Sequence, residues 1–492
     1  MKNIIIVGGG ISGLTAGILL QKAGLKTEIY EKNEVPGGLC SSFFKDGYTI
    51  DNCIHWLTGT NSQSALHPLL YELGALNDEI KLYKKQMFYS SSLNGKTVTF
   101  WRDKERTRRE LTALSPEDKK EIDKLIDCTA ISEKMVYPID KPPETMNLAD
   151  ILKLVFSMRK MAKLKKEYRG ADLKDLSLRF KHPLIRTAIT DYMPKDYGAD
   201  AFLLCYATVT GENGDIPEGG SLAMSKRMAK TYEEAGGVLH LNSPVKSLII
   251  SDNRVLGIKL SDAQSLSAQY VVCACDPSFT FKSLLPEKYM PEGLSQMYAQ
   301  KQGYLARGAF QAAFAVDGDF DNFTGAHVFS CKNITVGKQV YNRLILQSYN
   351  YDPTFCPEGK SILQISFTQT EEDYFYWKAL YENKTAYEAK KRETALLAME
   401  SITEEYPFLK GKIRLLDVWT PMSYSKRVNS YCGAYMGFLT SKHAKPVSGS
   451  RDIVNGLDNV FLAGQWMWGP GGLPSAMAAG KFAAERIINK YK

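Results

Sequence analysis

Glycines near both ends of this 492-residue chain have the spacing of a site where backbone meets phosphate. At the start, Gly8-x-Gly10-x-x-Gly13 follows the apolar run Ile4–Val7 and opens into a helix-forming stretch at 14–23. Strand, tight turn and helix are the context that a dinucleotide-binding fingerprint requires. Gly8 permits the turn, Gly10 lets the backbone approach a pyrophosphate, and Gly13 lets the helix pack closely on the strand. The first helical residues, Ile11 and Ser12, would present free N–H groups and a partial positive charge to the phosphates. Glu31 closes a second predicted strand, Thr27–Tyr30, roughly 20 residues after the first glycine, where a carboxylate can accept hydrogen bonds from ribose hydroxyls.

That fingerprint alone serves NAD as well as FAD; two further stretches tilt it towards FAD. Glu31-Lys32 runs on into Gly37-Gly38-Leu39, a second place where backbone must approach a ligand closely. The far terminus supplies a predicted strand at 459–462, then Gly464-Gln465, then a glycine-rich loop with Gly472, Leu473 and Ala476 at the start of a helix expected over 475–489. NAD needs no second loop of this kind. A flavin reaches further from the pyrophosphate, and a helix N-terminus near its pyrimidine ring stabilises charge on the reduced form. The terminal loop offers Trp466 and Trp468 but no Cys or His, so the FAD is expected to be non-covalent; the indoles suit either a flat apolar pocket or the core. One complete fingerprint leaves no dedicated NAD(P) domain. NAD(P)H enters the expectation only as a transient electron donor at the flavin face.

At this point the chain resembles a known group. Gly8–Gly13, Glu31, Gly37-Gly38 and the terminal stretch 463–480 look like the FAD-dependent phytoene desaturase, carotenoid isomerase and retinol saturase family, itself similar to flavin amine oxidases. Stretches 352–360, 376–377, 419–424 and 433–437 resemble the carotenoid isomerase and retinol saturase branch. The resemblance implies that Val245 sets its backbone against the adenine and that Asp276 ends a core strand near the cofactor. Many relatives carry Asp where this chain has Gln465, which still forms hydrogen bonds but brings no charge.

The fold class implied is α/β: a Rossmann-like FAD-binding domain with an inserted α+β substrate domain of antiparallel sheet and helices. The FAD domain would be discontinuous, at 1–75, 210–285 and 440–492, and the substrate domain would occupy 76–209 and 286–439. Apolar runs at 306–316, 339–348 and 361–368 read as three strands, with helices at 371–381 and 386–404 packed on them. A hairpin is expected over 80–102, turning at Asn94-Gly95. Ser115, followed by Pro116, reads as the N-cap of the first helix of a helical region that runs to about 191.

Composition bounds the rest. Hydrophobic content of 44% and charged content of 24% describe an ordinary globular chain, long enough for two or three domains. No run of apolar residues is long enough for a spanning helix. Nine cysteines without a C-x-x-C and six histidines without zinc spacing give no metal site, and fit reduced thiols in a cytoplasmic protein. A net charge of +8, spread over many segments without a nucleic-acid-binding motif, argues against nucleic acid. Between 151 and 169, Ile151, Leu154, Val155, Met158 and Met161 share a helical face amid seven basic residues. Such a helix either packs on the core with a solvated basic face or lies in an anionic membrane interface as a peripheral contact. Nothing in the residues sets an oligomeric state.

The chemistry this implies is movement of a hydride between FAD and a carbon of an apolar, unsaturated small molecule, by desaturation or saturation of a C–C/C=C bond. His55, Tyr424 and Arg427 are the candidates for proton donor or polar anchor. For His55 the structural alternative is a buried ring satisfied by backbone. A polyene isomerase using reduced FAD without net redox change is the second reading, and an amine oxidase, which no residue pattern favours, the third.

Overall fold

The computed structural model describes residues 3–135, 139–168, 170–320, 325–467 and 471–491. A parallel sheet of five strands carries the N-terminal fingerprint, in the order Val460–Leu462, Tyr270–Cys273, Ile4–Val7, Thr27–Tyr30, Val238–His240. Ile4, Ile5 and Ile6 are fully buried, because a central parallel strand is covered on both faces by its crossover elements. Helix Ile11–Lys22 packs between helices Gly472–Tyr491 and Gly220–Glu234. The contact with the C-terminal helix is so close that a Cβ on Gly480 would sit 2.3 Å from the Ser12 carbonyl oxygen. That helix begins at Gly472 rather than Ser475, since Pro474 in a first turn has no N–H that the helix would use.

A second sheet has seven strands, in the order Ile413–Trp419, Gly308–Asp317, Lys360–Gln369, Gln339–Ser348, Gly325–Val336, Met87–Leu93, Lys96–Trp101. All neighbours are antiparallel except Gly325–Val336 with Met87–Leu93. The three expected strands are its centre. Strands 325–336 and 413–419 were not expected, because their polar and charged residues interrupt the apolar alternation. The hairpin at Asn94-Gly95 forms as expected and closes one edge. Helices Glu371–Tyr381 and Lys384–Glu405 cover one face of the sheet over Phe310, Phe314, Leu346 and Leu363, with Trp377 of the first helix stacked on Phe310. The alternate residues, Ala309, Gln311 and Ala313 among them, point the other way, towards the parallel sheet.

The helical region packs on strands Met87–Leu93 and Lys96–Trp101 at one edge of the second sheet, and it starts earlier than expected. Helix Lys104–Leu114 is capped by Asp103, whose side chain accepts from the backbone of Glu105 and Arg106. Its charged surface reads as loop, but Thr107 and Leu111, one turn apart, are buried. Ser115 caps nothing; its hydroxyl donates to Asp118 Oδ2 at 2.8 Å. Helix Leu148–Tyr168 replaces the 151–169 expectation and packs against helices Lys119–Ser132 and Ala199–Thr210. Ile151 and Val155, read as core-facing in one of the two alternatives, are exposed, as are Leu148, Leu152 and Phe156. The side chains of Met158, Met161 and most of the basic residues that follow lie outside the described ones. Among the described residues no helix is long and apolar enough to cross a membrane.

Candidate functional site

The two sheets face each other across a cavity of about 510 Å³. Its floor is the set of loops that leave the C-terminal ends of the parallel strands. Gly8 turns the chain at φ +107°, where a Cβ would meet the Ala274 carbonyl oxygen at 2.9 Å. A Cβ on Gly13 would be 2.0 Å from the Gly8 carbonyl oxygen, so helix and strand approach as the fingerprint requires. Gly10 differs: a Cβ there would meet nothing in the protein nearer than the Gly37 carbonyl oxygen at 3.9 Å, and Gly10, Gly37 and Gly38 all line the cavity. Gly10 has no capping side chain, so the first N–H groups of that helix are left for a ligand.

Gly37 bridges to Gly10 and donates its N–H to the Gly9 carbonyl at 2.8 Å, which joins the second glycine stretch to the first. Glu31 holds this corner. One carboxylate oxygen accepts from Gly9 N at 2.8 Å, the other from Asn33 N at 2.8 Å and Asn33 Nδ2 at 2.6 Å. Lys32 Nζ donates to the Lys426 carbonyl and to Asn429 Oδ1, and burial lowers its pKa. Asp276 accepts from Ser278 N and Tyr431 N, each at 2.8 Å; burial pushes its carboxyl up to about 6. Gln465 Oε1 accepts from Gly472 N at 3.0 Å and so orients the start of the C-terminal helix.

Gly8, Gly10, Ile11, Ser12, Glu31, Lys32, Gly37, Gly38, Leu39, Val245, Asp276, Gly464, Gln465, Gly472, Leu473 and Ala476 all line this one cavity. Gly13 does not, consistent with its packing role. The donor-rich, glycine-walled groove fits a dinucleotide, and its continuation under the second sheet fits a flavin ring. Trp466 both lines the cavity and packs edge-on against Phe438 at 4.8 Å, while Trp468 lies outside the described residues.

Among the described residues no charged side chain lines the far end of the cavity. Buried Asp51 positions its entrance by accepting from Ser221 N at 2.6 Å, Ser221 Oγ at 2.7 Å and Cys53 N at 3.0 Å, which fixes the segment carrying Asn52 and His55. His55 lines the cavity, and its Nδ1 is buried without a hydrogen-bond partner; the backbone does not satisfy it. Burial, helped by the nearby charge of Lys85, pushes its pKa down to about 4, so the ring is neutral. Tyr424 also lines the cavity. Its hydroxyl lies 3.0 Å from Asn52 Oδ1, 3.0 Å from Trp419 Nε1 and in contact with Gln311 Oε1, and burial raises its pKa. Arg427 is not brought to the cavity: it donates to Ser41 Oγ at 2.7 Å and lies over the Phe43 ring. Tyr192, Tyr197, Leu204, Ile345, Tyr435 and Met436 complete an aromatic and aliphatic chamber. Sequence reasoning missed Gln311, Gln347, Ser366 and Thr368, which line it from the second sheet. Polar residues at alternate positions of otherwise apolar strands were the available signal.

Comparison with known proteins agrees with this geometry. The chain is 22% identical over 513 residues to the lycopene-forming phytoene desaturase of Pseudescherichia vulneris, covering 99% of both chains. It is 23% identical to the chloroplastic prolycopene isomerase of Arabidopsis thaliana, covering 99% of this chain and 82% of the other. Among solved structures, an oxidoreductase from Methanosarcina mazei superposes with a TM-score of 0.62 at 16% identity, covering 99% of this chain and all of that one, which shows the shared fold. The model of the flavin-containing amine oxidoreductases matches residues 11–488, nearly the whole length, and the chain belongs to that family.

Proposed function

We propose that the protein is an FAD-dependent oxidoreductase that desaturates or saturates a C–C/C=C bond in an apolar, unsaturated substrate such as a polyene lipid. The observation that carries this is one continuous cavity, with a glycine-walled dinucleotide groove at one end and an uncharged aromatic and aliphatic chamber at the other. The whole-length similarity to carotenoid desaturases supports it. When bound, FAD supplies the two-electron chemistry. The described residues lining the groove, Gly8, Gly10 to Ser12, Gly37 to Leu39, Gly464, Gln465, Gly472, Leu473 and Ala476, would hold it. Val245 and Asp276 would flank its adenosine half. The second sheet and the tyrosine-rich wall exclude water and hold the reacting carbon. His55, with a free ring nitrogen, and Tyr424, in its hydroxyl network, are the groups placed to hold or move a proton. Among the described residues no carboxylate lines the chamber to pair with an ammonium, so they offer an amine no specific recognition.

The similarity to prolycopene isomerases supports a second reading, cis–trans isomerisation of a polyene on reduced FAD. Anaerobic incubation of the purified yellow protein with a linear polyene separates the two. Desaturation lengthens the chromophore and shifts its absorption to the red while the flavin bleaches; saturation needs pre-reduced flavin and shifts absorption to the blue; isomerisation leaves the bond count unchanged. No change in either chromophore or flavin, both with the oxidised and with the pre-reduced protein, refutes both. We further propose that NADH or NADPH reduces the flavin transiently, which rapid anaerobic bleaching would support and an unchanged spectrum would refute. The exposed apolar face of helix Leu148–Tyr168, with Leu152 at 60% and Phe156 at 75% exposure, is the proposed site of peripheral membrane contact.

A further inference from the structure

The chamber wall formed by the second sheet is more polar than a hydrocarbon substrate requires. Gln311, Gln347, Ser366 and Thr368 all line the cavity. Ser366 and Thr368 are two apart on one strand and so share a face, Gln311 pairs directly with Ser366, and Gln347 pairs with Gln364 one step along. These five residues form one contiguous patch across three adjacent strands. Most of its hydrogen-bonding capacity is unused. Gln347 Nε2 and Gln364 Oε1 are buried atoms without partners, on residues 6% and 3% exposed. The Ser366 and Thr368 hydroxyls bond to none of the described residues. Gln311 spends its Oε1 on Trp419 and Tyr424, which leaves its amide N–H groups free.

A donor or acceptor without a partner is costly, and a saturated or polyene hydrocarbon laid on this wall would leave unsatisfied the groups that reach the cavity, the Gln311 amide N–H groups and the Ser366 and Thr368 hydroxyls. The charge pattern narrows what can satisfy them. The only charged residues lining the cavity among those described are Glu31, Lys32 and Asp276, all at the dinucleotide end. Amides and hydroxyls without a fixed charge suit a neutral oxygen, which can accept from Gln311, Ser366 or Thr368 and, if a hydroxyl, donate to Gln347, Ser366 or Thr368. We propose that the substrate carries a neutral hydrogen-bonding oxygen, a hydroxyl or a carbonyl, on its unsaturated chain, and that Gln347, Gln311, Ser366 and Thr368 are the residues that select for it. This rests on the reading of the chamber as the seat of an unsaturated lipid.

The test uses the FAD-loaded full-length protein and two linear polyenes of equal length, a hydrocarbon and its terminal primary alcohol. Affinity is read anaerobically from quenching of flavin fluorescence. The alcohol is expected to bind at least about tenfold more tightly. Gln347→Leu and the double variant Ser366→Ala/Thr368→Val are expected to erase that preference while FAD stays bound. Equal affinities in the native protein overturn the proposal without recourse to any variant. So does a preference that survives the substitutions. Equal tightening of both ligands by Gln347→Leu would mean that the patch holds water only, which also overturns it. If neither polyene binds to protein that retains FAD, the reading of the chamber falls first and takes this inference with it.

Discussion

Replacing Gly10 by alanine should separate cofactor binding from folding. Gly10 has φ −73° and ψ 178°, backbone angles open to any residue. A methyl group there finds its nearest protein atoms at 3.9 and 4.0 Å, in ordinary van der Waals contact. The cost to the apoprotein is the difference between glycine and alanine at a helix N-cap, offset by the smaller entropy of the unfolded chain, so it should stay within about 1 kcal/mol. The methyl nevertheless takes space in the groove that Gly10 lines beside the first helical turn and Gly37-Gly38, where the pyrophosphate is expected to sit. Hydrogen bonds to a charged group contribute about 1.5–3 kcal/mol each, so displacing the phosphate from one or two of them should weaken FAD by about 3 kcal/mol, roughly a hundredfold. Gly13→Ala makes the contrast, because its Cβ would lie 2.0 Å from the Gly8 carbonyl oxygen and helix and strand must separate. The assay compares thermal unfolding of the two apoproteins with that of the parent, and titrates each with FAD by fluorescence. Apoproteins are needed because bound FAD itself raises the midpoint by mass action. Native FAD affinity in Gly10→Ala, or an apoprotein destabilised as severely as Gly13→Ala, would refute the reasoning.

Asp276 predicts a pH dependence of apoprotein stability. Its folded carboxyl titrates at about 6 against an ordinary 3.8, so between those values the folded state holds a proton that the unfolded chain has released. Stability fully present below about pH 4 is therefore lost as pH rises through 6, by about 3 kcal/mol, and Asp276→Asn should flatten that slope in denaturant titrations. His55 is neutral above about pH 5, so turnover that depends on it should show no inflection near 6.5. His55→Leu should lower turnover about a hundredfold with FAD retained; unchanged turnover would exclude it as the proton donor. Leu152→Glu with Phe156→Glu, at residues 60% and 75% exposed, should abolish sedimentation with anionic vesicles without lowering the unfolding midpoint, and persistent co-sedimentation would remove the helix from the membrane contact.

The dinucleotide end of the site was legible because its chemistry is backbone chemistry, and glycine is the residue type that announces it. Gly8, Gly10 and Gly13 each have a different steric neighbourhood, yet all three could be read from spacing alone. The chamber was less legible. Its walls come from strands and helices far apart in the chain, and a residue such as Gln347 declares itself only once cross-strand register shows which face it occupies. Arg427 illustrates the converse: it lies three residues after Tyr424 on the short helix Pro421–Val428, and that one step decides that Tyr424 reaches the cavity while Arg427 reaches Ser41. The Lys104–Leu114 helix was hidden for a related reason, since two buried positions among charged residues leave almost no periodic signal.

That both glycine-rich ends of the chain serve one site follows from topology rather than from either motif. Strands Ile4–Val7, Thr27–Tyr30, Tyr270–Cys273 and Val460–Leu462 are parallel members of one sheet, so the loops after Val7, Tyr30, Cys273 and Leu462 must all emerge at the same edge. Parallel pairing therefore carries Gly8, Glu31, Asp276 and Gly464 to one line at the carboxyl ends of the strands, where open α/β sheets bind their ligands. The Gly480–Ser12 approach then fixes the C-terminal helix beside the N-terminal one, with its own N-terminus directed at the same cavity. Replacing Gly480 by alanine should consequently loosen FAD binding as well as packing, although residue 480 does not line the cavity: a Cβ 2.3 Å from the Ser12 carbonyl must push apart the two helices whose first turns frame the groove. FAD affinity that survives in a destabilised Gly480→Ala protein would show that the two helix ends hold the cofactor independently.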